Sequence, residues 1–375
     1  MQQRHMIAAL LSAASLLLQG CAPLVIRESK PPAQPGAPNA IRTLGTDRRF
    51  STLSAQTVAQ RLHALRADKP VNILALSGGG ADGAFGAGAL VGLTRSGSRL
   101  QFSVVTGVSA GALIAPYAFL GADWDEQLID IYTTGRGEHL LQSRWLGALF
   151  GSSVYRGTPL KELVDRYATD ALIQAVAREA ATGRLLLVAT TDVGTGEPVV
   201  WDLGSIAMNG GAGARALFRD VLVASASVPG MFPPVVIRVQ EQEALYDEVH
   251  VDGTITVPFF VPLALAEGGA AVYVIVDGRL SEEPLAIRLR AGAIVSRSVS
   301  TGLNHMLRTT LELTATNAEL QGATLQYAAI PITYPTVAPF DLHAETVRSL
   351  FRYGYECAES GRLWIPEPKG RFVSR

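Results

Sequence analysis

Cysteine is nearly missing from this chain: Cys21 and Cys357 are the only two in 375 residues. Two thiols cannot build a disulfide framework, and no Cys/His cluster has the spacing of a zinc site. A basic excess is missing too. The 32 Lys and Arg stand against 33 Asp and Glu, for a net charge of −1, so no surplus is available to neutralise nucleic-acid phosphates. Long uninterrupted apolar runs are also missing. Residues 255–276 are largely hydrophobic but are broken by Pro258, Pro262, Glu267 and Gly268-Gly269. That pattern fits a buried loop, a short helix and a core strand rather than a membrane span. No internal repeat is visible. What the chain does have is 48% hydrophobic residues, enough for a large core, and 37 glycines.

The N-terminus reads as a targeting segment. Arg4 and His5 precede an apolar run at 7–18, too short to span a bilayer and of the right length for a signal h-region. Leu18-Gln19-Gly20-Cys21 follows and resembles a bacterial lipobox. On that reading residues 1–20 are removed, Cys21 carries diacylglycerol, and Cys357 has no partner. Ala22 is not the aspartate that signals inner-membrane retention, which points to the outer membrane of the cell envelope. An ordinary cleaved signal with an incidental cysteine is the alternative. Residues 21–50 are rich in Pro, Gly and Ala (KPPAQPGAPNA at 30–40) and read as a tether without a core.

Residues 52–66 have apolar residues at helical spacing. From residue 71 strands and helices alternate. Strands are expected at 71–76, 102–106, 184–191, 198–202, 235–239, 248–251 and 271–276. Helices are expected at 83–95, 110–120, 160–167, 171–181, 212–224, 284–317 and 344–361. The alternation predicts an α/β fold, a mainly parallel central sheet with helices on both faces. The α/β body is placed at 51–335, with a helical segment at 336–375 packed on it. Arg290, Arg297 and Arg308, spaced by 7 and 11, share one face of a continuous helix. They read as a solvated face, with phospholipid head groups as the alternative partner.

Two glycine motifs carry the chemistry. The first is LALSGGGADGAFGAG at 74–88. Its Gly78, Gly80 and Gly83 fit the dinucleotide pattern G-x-G-x-x-G. A dinucleotide site also needs an acidic residue about 20 positions on, for the ribose. None occurs between Asp82 and Asp123, which argues against that reading. The second motif is Gly107-Val108-Ser109-Ala110-Gly111, between an expected strand and an expected helix. This is the setting of a nucleophile elbow, where small neighbours let strand and helix approach around an exposed serine. One βαβ unit of about 30 residues separates the motifs. Both therefore fall at the ends of neighbouring parallel strands, and the amides of Gly78, Gly79 and Gly80 face Ser109 as an oxyanion hole. A serine needs a base. The candidates are His250, His305 and His343, or Asp252, which ends an alternating strand at Gly253.

Taken in order, Gly78-Gly79-Gly80, Gly107-x-Ser109-x-Gly111, the block Ala224-Ser225-Ala226-Ser227-Val228-Pro229-Gly230-Met231-Phe232-Pro233-Pro234 and Asp252-Gly253 resemble the patatin-like phospholipase family over about residues 71–280. The resemblance implies a Ser109–Asp252 dyad, with Asp252 buried and its pKa raised. It implies an oxyanion hole at Gly78–Gly80, an acyl-enzyme intermediate, and no metal or organic cofactor. The implied activity is hydrolysis of lipid acyl esters, of phospholipase A or lysophospholipase type. The implied partners are a lipid substrate and, through Cys21, a membrane. Asp82 and Thr254 depart from the family, which often has a basic residue after the triplet and Gly or Ala after Asp-Gly. Two other readings stay open: a non-catalytic lipoprotein that binds lipid or protein, and a Ser–His–Asp esterase.

Overall fold

Along residues 73–76, Ile73 and Ala75 enter one hydrophobic cluster and Leu74 and Leu76 another, and all four are buried. Alternate side chains of a strand point to opposite faces, so this strand runs through the middle of a layered core. The computed structural model describes residues 41–44, 50–53, 57, 60, 71–141, 157–241, 244–262, 269–281, 284, 289–335 and 341–366. These residues lie within one compact unit, Pro35–Arg375. The leader, Cys21 and most of the expected tether lie outside the described residues.

The chain enters with β1 (Ile41–Leu44) and β2 (Phe50–Leu53). Then come β3 (Asn72–Leu76), α1 (Gly83–Arg95), β4 (Val104–Val108) and α2 (Ala110–Leu120). Three helices follow, α3 (Asp125–Thr133), α4 (Thr158–Tyr167) and α5 (Asp170–Ala181). After them come β5 (Leu185–Asp192), β6 (Glu197–Asp202), α6 (Leu203–Asn209) and α7 (Gly211–Ser225). The hairpin β7 (Val235–Glu241) and β8 (Ala244–Asp252) leads to β9 (Ala271–Val276). The chain closes with α8 (Ala291–Leu320), β10 (Thr324–Ala329), α9 (Ala344–Glu359) and β11 (Ile365–Pro366).

Among the described residues the sheet runs β11-β10-β9-β3-β4-β5-β6-β1-β2, with β8 joined to β5 and to β7. The central strands β10, β9, β3, β4 and β5 are parallel. β6 and β8 pair with β5 antiparallel. One face of the sheet is covered by a cluster that includes residues of α1, α2, α5, α7 and α9. The other is covered by Leu307, Leu311, Ala315 and Ala318 of α8. The architecture is the expected one, α/β with a mostly parallel sheet between helices.

Three local expectations are corrected. Ile41–Leu44, inside the stretch read as tether, is a strand that pairs with β6 and β2. Arg42 ties it down through contacts with Glu248 and the Trp201 ring. Residues 52–53, read as the start of a helix, belong to β2, while Thr57 and Gln60 are helical; the rest of 52–66 lies outside the described residues. The helix expected at 284–317 starts only at Ala291, and Arg290 precedes it in extended backbone (φ −125, ψ 137). Arg290 therefore does not share a helix face with Arg297 and Arg308.

Candidate active site

β5 sets the geometry of the site. Val108, the last residue of β4, pairs with Ala189. Asp252, the last residue of β8, pairs with Thr190, the next rung. β6 occupies the opposite edge of β5, so β4 and β8 share one edge and meet end to end. Ser109 follows Val108, and its Oγ donates to Asp252 Oδ2 at 2.6 Å.

Ser109 has φ 55 and ψ −123. It is the one non-glycine residue with positive φ among those described, and such a backbone persists only where its surroundings hold it. Ser109 N–H donates to Ser225 Oγ at 3.0 Å, and Ser225 Oγ donates to the Ala189 carbonyl at 2.7 Å. The elbow is thereby tied to β5. Asp252 N–H donates to the Ser227 carbonyl at 2.9 Å. A Cβ on Gly111 would lie 2.5 Å from the Leu76 carbonyl oxygen, and one on Gly107 2.6 Å from that of Gly111. Glycine at these two positions lets α2 rest directly on the strands.

Asp252 is 1% exposed. Its Oδ1 accepts the Thr254 N–H at 2.8 Å. Burial pushes the carboxyl up to about 6, against hydrogen bonds from Ser109 and from the Thr254 backbone and side chain. A group near 6 is ionised at neutral pH and still able to take a proton. Asp82 lies in the turn Gly80–Asp82. Burial pushes it up to about 7, with Arg279 opposing.

The glycine loop abuts the nucleophile: a Cβ on Gly78 would lie 3.0 Å from Ser109 Cβ and 2.3 Å from Thr254 Oγ1. The three amides are not equivalent, however. Gly78 N–H donates to the Pro258 carbonyl at 3.0 Å, which removes it from the expected oxyanion hole. The amides of Gly79 and Gly80 have no acceptor among the described residues. Gly80 has φ 58, a conformation that glycine reaches without steric cost.

The histidines are engaged elsewhere. His250 is buried, with Nε2 at 3.0 Å from Glu248 and Nδ1 at 3.0 Å from Thr190 Oγ1. His305 accepts from Arg308 at 2.9 Å. His343 precedes α9, with its side chain 85% exposed. None hydrogen-bonds Ser109. Among the described residues no group of three His, Cys, Asp or Glu could hold a metal, and no helix is long and apolar enough to cross a membrane.

An apolar cleft opens along α2, lined by Leu113, Tyr117, Ile131, Tyr132, Tyr167 and Leu222. Leu113 stands one helical turn from Ser109, on the same face. The Tyr132 hydroxyl is 3.5 Å from where a Cβ on Gly83 would stand, and that Cβ would be 2.8 Å from Ala110 Cβ.

Residues 74–265 match the sequence model described as Patatin, patatin-like phospholipase. The chain belongs to the patatin-like phospholipase family. Membership supports a lipid acyl hydrolase activity. Among solved structures this patatin-like chain is similar to VipD from Legionella pneumophila, at 10% identity and TM-score 0.38, over 88% of this chain and 71% of that one. It is also similar to human GIVD cytosolic phospholipase A2, at 12% identity and TM-score 0.32, over 60% and 46% of the two chains. No curated protein matches the sequence. Sequence reasoning singled out the 224–234 block as a family mark without seeing what Ser225 and Ser227 do. It missed Ser77 and Asp277 entirely.

Proposed function

We propose that this protein is a serine hydrolase of lipid acyl esters, of phospholipase A or lysophospholipase type, with Ser109 as nucleophile and Asp252 as general base. The observation that carries the reading is the 2.6 Å hydrogen bond from Ser109 Oγ to a buried carboxylate. Asp252 takes the Ser109 proton as Oγ bonds to the ester carbonyl carbon. The carbonyl oxygen becomes an oxyanion held by the Gly79 and Gly80 amides. The ester C–O bond then breaks, and Asp252 returns the proton to the departing alcohol. Water attacks the acyl-enzyme and gives a proton to Asp252; the Oγ–acyl bond then breaks, Asp252 returns that proton to Ser109 Oγ, and the fatty acid leaves. The lipobox-like 18–21 supports a lipid anchor at Cys21 and a place on the outer membrane, where such substrates are within reach.

Labelling with a fluorophosphonate tests the dyad. Wild type labels, Ser109→Ala and Asp252→Asn do not, and His250→Gln, His305→Ala and His343→Ala do. Fatty-acid release from phospholipid and lysophospholipid vesicles follows the same pattern. Folded wild type that neither labels nor releases fatty acid returns the protein to the non-catalytic reading. Loss in one histidine variant moves it to the triad class.

A further inference from the structure

The Gly79 amide is half of the Gly78–Gly79 peptide. In a trans peptide the C=O and N–H point in opposite directions, so whatever holds the Gly78 carbonyl aims the Gly79 N–H. Ser77 holds it: Oγ donates to the Gly78 carbonyl at 2.8 Å. Ser77 is fully buried, and its own N–H donates to the Ile275 carbonyl at 3.0 Å. Its Oγ accepts the Asp277 N–H at 2.8 Å, so one relay runs from the end of β9, through the Ser77 hydroxyl, to the loop.

Asp277 supports the loop in two further ways. Its carbonyl oxygen stands 1.8 Å from where a Cβ on Gly79 would be, so the loop rests on its backbone. Its Oδ1 accepts the Gly86 N–H near the start of α1 at 2.9 Å, fixing the helix into which the loop runs. Its Oδ2 is buried without a partner among the described residues. Burial pushes this carboxyl well above the usual range; the Gly86 amide opposes the shift and nearby Asp82 adds to it. Asp277 also lies beyond residues 74–265, outside the stretch that matches the family.

We propose that Ser77 and Asp277 are positioning residues that aim the Gly79 amide at the oxyanion by pinning the Gly78 carbonyl and the start of α1. The proposal rests on the serine hydrolase reading. Neither side chain touches substrate, so both act through the loop.

The test uses the full chain and two readouts, kcat and KM on a soluble short-chain ester and affinity for a trifluoromethyl ketone, which forms an anionic adduct with a serine. Ser77→Ala is expected to lower kcat about 100-fold, the loss seen on removing one oxyanion donor. Ketone affinity falls with it, while KM stays within about threefold. Asp277→Ala behaves likewise, and Asp277→Asn, which keeps an acceptor for Gly86, restores most of the rate. Leu311→Ala, on the core-facing side of α8, lowers stability and leaves kcat unchanged. Ser77→Ala that keeps wild-type ketone affinity overturns the proposal. So does a loss of kcat that merely follows loss of stability, with Leu311→Ala losing as much. Folded wild type that reacts with neither probe overturns the hydrolase reading, and this proposal with it.

Discussion

Ser109 was marked in the sequence by its strand–turn–helix setting, while Asp252 stood beside three histidines as a candidate base until the resemblance to the patatin-like family singled it out. Their supports were unmarked. Ser77 accepts the Asp277 N–H and Ser225 the Ser109 N–H, both from far away in the chain, and a serine carries no sign of which backbone group it will find. The loss of the Gly78 amide was illegible for the same reason, since its acceptor is the carbonyl of Pro258. The proposed dyad also has a definite pH signature. Asp252 must be ionised to take a proton and is held at about 6. On a soluble ester kcat/KM is therefore level at neutral pH and falls about tenfold per pH unit below 6. Thr254 opposes the upward shift through its side chain. Thr254→Gly, which keeps the backbone N–H, moves the acid limb to higher pH. A limb that does not move in pH–rate measurements would assign that titration to another group.

α1 and α2 appear at the bounds expected from sequence, because a glycine motif starts each and an apolar stretch runs from it. β1 and β2 were not foreseen. They extend the sheet edge from within a Pro- and Gly-rich stretch, and pairing rather than composition makes them strands. α6 was missed although Asp202 caps it, its Oδ1 accepting the Ser205 N–H at 2.9 Å. The seven residues of that helix are too few to show a period. The glycines of α1 have a different cause from those of the loop before it. A Cβ on Gly88 would stand 1.9 Å from the Phe351 carbonyl oxygen of α9, and one on Gly92 2.3 Å from that of Tyr355. On an exposed helix Gly→Ala gains about 1 kcal/mol. Here the sign reverses: Gly88→Ala lowers stability by about 1–3 kcal/mol, read from the urea midpoint. Because α1 starts at the oxyanion loop, the same change lowers kcat more than it raises KM.

At the scale of the whole molecule, the family match ends at residue 265, but the fold does not. β9, β10, α8 and α9 complete both sides of the sheet, and Asp277 reaches the loop from beyond that limit. Ser109 and Asp252 are 143 residues apart in the chain and meet only when β8 pairs with β5. Contacts of such long range close slowly. In refolding from urea, reactivity toward a fluorophosphonate is expected to return with the last phase, after helical signal has recovered. Labelling that returns with the helices would mean that the β8–β5 edge forms early. The end-to-end meeting of β4 and β8 thus acts as a safety interlock. A chain still being synthesised has Ser109 before it has Asp252, and the proposed pair is incomplete until β8 is in place on β5.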